Sequence, residues 1–207
     1  MTTPALPTSI HLDLATGTLS GEGVTESART IGGLAGYFRD EAARAAMDQE
    51  TLVYSVQSFE PEPEGKPGGL CCATTALQPG LVGDEYFLTR GHYHWDEDLP
   101  ELELVISGHG LMVLMDCTGA TWTEELRPGA LLHVPPSVAH RAANTGDEPL
   151  VFVSFWSSET GHDYSVIAER GFGARVRRIG GIPTLAPEPE AGAPEAEPPA
   201  SHEGDAE

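Results

Sequence analysis

The sequence predicts a mainly β protein in which several antiparallel strands follow one helix. From Leu52 onward, apolar and β-branched runs such as TLVYSVQSF, ELELVISGHGLMVLMD and PLVFVSFW recur at intervals of about ten residues. Gly, Pro, Asp and Asn separate these runs, as expected for the turns between short strands. This pattern is typical of an antiparallel sandwich or barrel.

Two helices are predicted, one on each side of the strands. Residues 35–47 (AGYFRDEAARAAM) are rich in helix formers and carry apolar side chains near a helical spacing. Near the carboxyl end, the segment SVIAERG has Asp163 or Ser165 available to cap it and Gly171 to end it. His162 is therefore expected at the amino terminus of a short helix, where the dipole favours a neutral imidazole.

Composition limits the classes of function. The chain has 207 residues, of which 40% are hydrophobic, and this suits one compact domain with its own core. Asp and Glu outnumber Lys and Arg by 32 to 11, so no basic surface is available to bind nucleic acid. The single lysine, Lys66, lies in a Pro/Gly-rich run, which argues against Schiff-base chemistry.

The sequence also predicts a cytoplasmic protein that does not bind membranes. Its first residues lack a basic region followed by an apolar one, and no stretch is long and apolar enough to span a bilayer. The 3 cysteines are odd in number, and two of them are adjacent, so we expect buried, reduced thiols.

The last 25 residues differ in composition from the rest of the chain. From Pro183 onward there are seven acidic residues, six prolines and no basic residue. Such a segment cannot bury enough apolar surface to offset the entropy lost on ordering. We therefore expect one domain with an N-terminal extension over residues 1–182 and a disordered acidic tail over residues 183–207.

The candidate site residues begin in the segment GHYH, which is followed by a short polar segment and then by a predicted strand. Alternate residues of a strand share a face, so His92 and His94 would present both imidazoles to one side. The segment WDEDLP then suits a turn, after which Glu101 opens the run ELELVIS. A hairpin would return this carboxylate to the two imidazoles.

A second motif lies further along, in GALLHVPPSVAHRAAN over residues 129–144. It resembles the second motif of the cupin superfamily, with Ser137 in place of one glycine, and the GHYH region resembles the first. The resemblance implies a cupin fold, which is a double-stranded β-helix or small antiparallel barrel of the jelly-roll type.

The cupin resemblance also implies a metal site. His92, His94, Glu101 and His140 would bind one divalent transition metal ion per subunit. Three imidazoles and a carboxylate leave two octahedral positions open, as catalysis at a metal requires. Fe(II) is favoured, and Mn(II), Ni(II), Co(II) or Zn(II) would also suit the ligands.

A closer resemblance is carried by VGDEYFLTRGHYH, VPPSVAHRAANTGDEPLVF and GHDYSVIAERGF. These segments look like those of the cupin-type glucose-6-phosphate isomerases, and the likeness spans roughly residues 11 to 180. It implies a metal-dependent homodimer that interconverts glucose 6-phosphate and fructose 6-phosphate, in glycolysis and gluconeogenesis. By position, it implies catalytic roles for Glu101, His162 and Tyr164. It also implies substrate contacts from Tyr54, Thr75, Thr89, Arg90 and Gly91.

Two departures from this family affect the expected pocket. Glu103 stands where the family has a tyrosine, and by strand alternation it shares a face with Glu101. It either points into the pocket or pairs with Arg90 or Arg141. Trp156 stands where the family has a second tyrosine, which removes a phenolic hydroxyl.

The sequence leaves two questions open. The isomerisation can proceed by proton abstraction from C2 through an enediol, or by a hydride shift between C2 and C1. The same ligands also suit a metal-dependent dioxygenase, and a pocket that has lost turnover would leave a sugar-phosphate-binding cupin without catalysis.

Overall fold

A computed structural model describes residues 9–188, and these residues form a mainly β fold with two short helices. The strands, in chain order, are β1 (His11–Leu12), β2 (Leu19–Ser20), β3 (Val24–Thr30), β4 (Leu52–Phe59), β5 (Leu70–Leu77), β6 (Leu81–Val82), β7 (Glu85–Tyr86), β8 (Glu101–Ser107), β9 (Gly110–Met115), β10 (Thr121–Leu126), β11 (Leu131–Val134), β12 (Ala139–Asn144), β13 (Leu150–Ser157), β14 (Ala174–Ile179) and β15 (Ile182–Pro187). The helices are α1 (Glu41–Ala46) and α2 (Ser165–Arg170), and one turn of 3₁₀ helix covers Gly32–Leu34.

Two antiparallel sheets enclose the main core. One has six strands in the order β11-β8-β13-β5-β4-β3, and the other has three in the order β10-β9-β12. Fully buried side chains from both sheets pack between them, including Leu77, Leu126 and Leu150. The predicted mainly β, antiparallel fold with an N-terminal and a C-terminal helix is thereby confirmed.

The first helix begins later than the sequence pattern predicts. Residue 36 is a glycine with φ of +81°, a conformation that cannot continue an α-helix. The helix starts only after Asp40, whose side chain accepts a hydrogen bond from the Ala43 backbone N–H at 2.8 Å. At the other helix, the N-cap residue is Tyr164, which makes no side-chain cap, and Asp163, one residue before it, accepts a hydrogen bond from the Ser165 N–H. Gly171 ends α2 at φ of +68°, as predicted.

The paired strands extend beyond the expected domain boundary. Strand β15 pairs with β14 through Pro187, so residue 182 is the start of a strand and not the end of the domain. The prolines suit this position because β15 is an edge strand, with β14 on one side. Residues 189–207 of the predicted acidic tail lie outside the described residues. Between residues 9 and 188, no helix is long and apolar enough to cross a membrane.

Candidate active site

The four predicted metal ligands meet inside the fold. His140 lies in β12 and Glu101 opens β8, while His92 and His94 lie on an extended segment beside β12 and not on a regular strand. The backbones of His92 and His140 pair directly, with N–H to carbonyl distances of 3.3 and 3.1 Å. One ligand atom from each of the four residues lies within 4.8 Å of the other three.

Gly91 allows this close approach. Its φ is +74°, and a Cβ there would lie 2.9 Å from the Arg141 Cβ and 3.0 Å from the His140 carbonyl oxygen. Any larger residue would push the segment away from β12. The glycine before the histidine pair is therefore a geometric requirement for placing His92 beside His140.

Hydrogen bonds orient the imidazoles toward the centre of the cluster. The Leu99 carbonyl lies 2.8 Å from His94 Nδ1 and can only accept, so Nδ1 carries the proton and Nε2 faces Glu101. Glu101 Oε2 lies 3.2 Å from Nε2 of His94 and 3.6 Å from Nε2 of His140. Such backbone contacts commonly fix the tautomer of metal-binding histidines.

Two nitrogens in the cluster lack a partner, and this tests whether a cation fits. Among the described residues, Nε2 of His92 and Nε2 of His140 are buried without a hydrogen bond. Buried polar atoms are rarely left unpaired in folded proteins, unless an ion or water satisfies them. Both nitrogens belong to the cluster that surrounds the Glu101 carboxylate, so these residues fit a divalent cation.

The protonation states of His92 and Glu101 also suit the binding of a metal ion. Burial and the neighbouring imidazoles hold the pKa of His92 well below its ordinary value, so its ring is neutral. Burial alone would raise the pKa of Glu101, but the adjacent imidazoles of His140 and His94 hold it well below the ordinary value. A neutral imidazole and an ionised carboxylate are the forms that bind a metal ion.

A cavity of about 330 Å³ opens onto the cluster. It brings together every residue for which a substrate contact or catalytic role is predicted. These are Tyr54, Thr75, Thr89, Arg90, Gly91, Glu101, His162 and Tyr164.

Aromatic rings hold Arg90 at one side of this cavity. Its guanidinium lies 5.0 Å from the ring centre of Tyr37 and 4.6 Å from that of Tyr164, and its Nε donates a hydrogen bond to the Tyr37 hydroxyl. The Thr89 hydroxyl accepts a hydrogen bond from the Ala142 N–H, which leaves its own proton free to donate. Burial raises the pKa of Tyr54 to about 12, so that side chain also remains a donor.

The two departures from the family both face the cavity. Glu103 is fully buried and accepts a hydrogen bond from the Ser154 hydroxyl at 2.7 Å, so the predicted pocket orientation holds and the ion pair with Arg90 or Arg141 does not form. Burial and the charge of Glu101 raise the pKa of Glu103 well above its ordinary value. Trp156 lies edge-on to His162, with 5.6 Å between ring centres.

His162 differs from expectation in what orients it. It precedes α2, and its Nδ1 lies 2.7 Å from Glu64 Oε1, so a carboxylate and not the helix terminus is its polar partner. Its ring lies 4.5 Å from that of His92 and stacks on Tyr164 at 6.1 Å.

Sequence reasoning missed several residues that line the cavity, and two of them, Glu64 and Arg29, are charged residues near predicted site residues. Glu64 lies in the loop between β4 and β5, where the run EPEPEG reads as an ordinary solvated turn. Arg29 lies on β3 opposite Tyr54 of β4 and lines the cavity near Arg90. Neither residue stands in a motif, so no local signal in the sequence identifies them.

Comparison with known proteins agrees with the resemblance. A family model described as glucose-6-phosphate isomerase matches residues 28–183. Glucose-6-phosphate isomerase of Thermococcus litoralis is 42% identical over 168 residues, which is 80% of this chain and 86% of that protein. The Pyrococcus furiosus protein of the same name is 39% identical over 168 residues, with 80% and 87% of the two chains covered.

A likeness to more distant proteins is also found among solved structures. Oxalate decarboxylase from Bacillus subtilis aligns with a TM-score of 0.39 and 22% identity, over 53% of this chain and 26% of that chain. The assignment of the family rests on the family model and on the sequence relatives. On that basis the chain belongs to the glucose-6-phosphate isomerase family, a family of isomerases.

Proposed function

We propose that this protein is a metal-dependent aldose–ketose isomerase that interconverts glucose 6-phosphate and fructose 6-phosphate. The observation that carries the proposal is the buried cluster of three imidazoles and one carboxylate, with two unpartnered nitrogens, at the wall of a cavity of about 330 Å³. The names of the relatives supply the substrates.

His92, His94, Glu101 and His140 would hold one divalent transition metal ion per subunit. We propose Fe(II) as the ion that the protein uses, and Mn(II), Ni(II), Co(II) or Zn(II) suit the same donors. The bound ion would polarise the sugar carbonyl and lower the pKa of the neighbouring hydroxyl.

The phosphate of the substrate is proposed to lie at the arginine side of the cavity. Arg90 presents a planar guanidinium there, and Thr75 and Thr89 present hydroxyls. Charge-assisted hydrogen bonds of this kind are the strong ones in phosphate recognition. The Gly91 backbone and the Tyr54 hydroxyl complete the proposed substrate contacts.

His162 and Tyr164 are proposed as the groups that act on the reacting carbons and oxygens, beside Glu101. The ring of His162 lies edge-on to that of His92, with 4.5 Å between ring centres, so it borders the space in which C1 and C2 would lie. Isomerisation requires a proton to move between O1 and O2, whichever way hydrogen moves between C2 and C1. His162 carries that oxygen-bound proton, and Tyr164 stacks on it and limits its rotation.

The protein is further proposed to act as a homodimer in the cytoplasm, in glycolysis and gluconeogenesis. The outer face of the six-stranded sheet is apolar, and Leu70, Leu102 and Leu131 are 71%, 40% and 65% exposed on it. Neighbouring strands place these side chains on one surface, which a second copy would cover.

A reconstitution assay tests this function. Protein stripped of metal by a chelator is reloaded separately with Fe(II), Mn(II), Ni(II) or Zn(II), and fructose 6-phosphate is supplied in an assay coupled to glucose 6-phosphate oxidation. We expect activity to return with at least one ion and to be absent from the His140→Ala variant. His109→Ala is the matched control, because His109 is an exposed histidine in the turn between β8 and β9.

Three results would contradict the proposal in different ways. No turnover with any ion would remove the isomerase function. Oxygen consumption with an enediol or flavonol, and no hexose phosphate turnover, would indicate a dioxygenase. Binding of hexose phosphate by calorimetry without product would indicate a binding protein.

A further inference from the structure

The loop between β4 and β5 reaches across the cavity and is fixed to the far end of β13. Ser158 is 1% exposed and holds this loop in three ways. Its carbonyl accepts from the Gly65 N–H at 2.7 Å, its hydroxyl donates to the Lys66 carbonyl at 2.6 Å, and the same hydroxyl accepts from the Gly69 N–H at 3.0 Å. Glu64 is therefore carried on an anchored loop, although its own side chain is 39% exposed.

The segment that carries His162 is fixed in a similar way. Asp163 pairs with Tyr93 through two backbone hydrogen bonds of 3.0 and 2.7 Å, and the Asp96 N–H donates to the Thr160 carbonyl at 3.1 Å. These contacts join the segment to the stretch of chain that bears the predicted ligands His92 and His94. The position of His162 relative to the cluster is thus set by backbone pairing.

Glu64 joins the two segments through the hydrogen bond to His162. A carboxylate only accepts hydrogen bonds, so Nδ1 of His162 must carry a proton, and in the neutral ring Nε2 is then the free acceptor. The remaining neighbours of the ring are the rings of His92, Trp156 and Tyr164, at 4.5, 5.6 and 6.1 Å between centres. None of these contacts selects a tautomer, so Glu64 is the group that does.

We propose that Glu64 is a positioning residue that keeps His162 in the tautomer with a free Nε2 and aims that nitrogen at the sugar. This inference rests on the proposed isomerase function. In the direction from glucose 6-phosphate, with the sugar ring open, the C2 hydrogen moves to C1 while Nε2 accepts the proton from the O2 hydroxyl and returns it to O1. The imidazole ends each turnover in its starting form, so no other reagent is required.

The test compares two substitutions on the same loop in metal-loaded enzyme. Glu64→Gln keeps the size of the side chain but replaces an obligate acceptor with an amide that can also donate to Nδ1. Glu62→Gln removes the same charge two positions away, and within the described residues Glu62 forms no hydrogen bond with His162. We expect Glu64→Gln to lower kcat by about 10–100-fold with KM changed by less than about twofold, and Glu62→Gln to leave both near wild type.

A spectroscopic measurement separates positioning from a general loss of structure. Two-bond ¹H–¹⁵N spectra of the Zn(II)-loaded protein report which ring nitrogen of His162 carries the proton. Wild type and Glu62→Gln should show the proton on Nδ1, whereas Glu64→Gln should show a mixture or the opposite tautomer. Glu64→Asp, which still only accepts, should retain the Nδ1 proton and recover part of kcat.

Two results would overturn this inference. One is wild-type kcat in Glu64→Gln, and the other is an equal loss of kcat in Glu64→Gln and Glu62→Gln, which would indicate a charge effect. An inactive wild-type enzyme would instead contradict the proposed function, and the tautomer spectra would still decide whether Glu64 positions His162.

Discussion

Loading the protein with a divalent metal ion should raise its melting temperature, and His140→Ala should remove most of that increase. The physical reason is the pair of unpartnered buried nitrogens on His92 and His140. An unsatisfied buried polar group costs about 1–3 kcal/mol, so the metal-free cluster holds about 2–6 kcal/mol of unfavourable free energy. A bound cation supplies the missing partner for both nitrogens.

The expected size of the increase follows from ligand binding to the folded state. A free metal concentration of 100 times Kd adds about 2.7 kcal/mol to the free energy of unfolding, which lies within the range above. For a domain of this size, 1 kcal/mol moves the melting temperature by about 2–4 °C. We therefore expect an increase of about 5–11 °C with Mn(II) or Zn(II).

Differential scanning calorimetry of chelator-treated protein, with and without added metal, measures this effect. His140→Ala removes one of the four donors and should keep less than half of the increase. His109→Ala removes an exposed imidazole in the turn between β8 and β9, outside the cluster, and should keep all of it. An increase in His140→Ala equal to that of the wild type would show that the metal binds elsewhere and would refute the assignment of the cluster.

Three further substitutions or treatments have expected outcomes. Asn144 is fully buried and forms hydrogen bonds of 2.8, 2.9 and 2.9 Å with three backbone groups. Asn144→Ala should therefore lower the free energy of unfolding by about 3 kcal/mol and the melting temperature by about 6–12 °C, as measured by calorimetry. Arg90→Lys keeps the charge but loses the planar contact with two tyrosine rings, so steady-state kinetics should show KM for hexose phosphate raised about tenfold with kcat less affected. Burial raises the pKa of Cys71 to about 11, so only about 0.1% of this thiol is thiolate at pH 8. After treatment with iodoacetamide, mass spectrometry should therefore find exposed Cys117 alkylated and Cys71 unmodified.

The predicted metal ligands could be found from the sequence because their geometry is local. Alternation along an extended segment puts His92 and His94 on one side, and a turn of six residues returns the chain to Glu101. His140 follows from the spacing of the second motif. The structure replaces the assumed strand with two isolated bridges, one from His92 to β12 and one from Tyr93 to Asp163, but the extended backbone keeps the same alternation.

Other features of the structure could not be predicted from the sequence pattern. Glu64 and His162 are 98 residues apart, and only the anchoring of two loops brings them together. The start of α1 depended on the conformation of Gly36, which interrupts a segment with good helix formers on both sides. Cys117 lies exposed in a turn, so the expectation of buried thiols fits Cys71 but not this residue.

The charges around the cavity also give the substrate a direction. Glu101 and Glu103 project from β8 on one wall, whereas Arg29 and Arg90 lie on β3 and on the segment before His92. A phosphate dianion is attracted to the two guanidinium groups, and this attraction is strong in a site shielded from water. With the phosphate at the arginines, the opposite end of an open hexose chain, which carries C1 and C2, must point to the histidine cluster. Because two positive charges match a phosphate dianion better than one does, this orientation assigns Arg29 as well as Arg90 to the phosphate end of the proposed substrate.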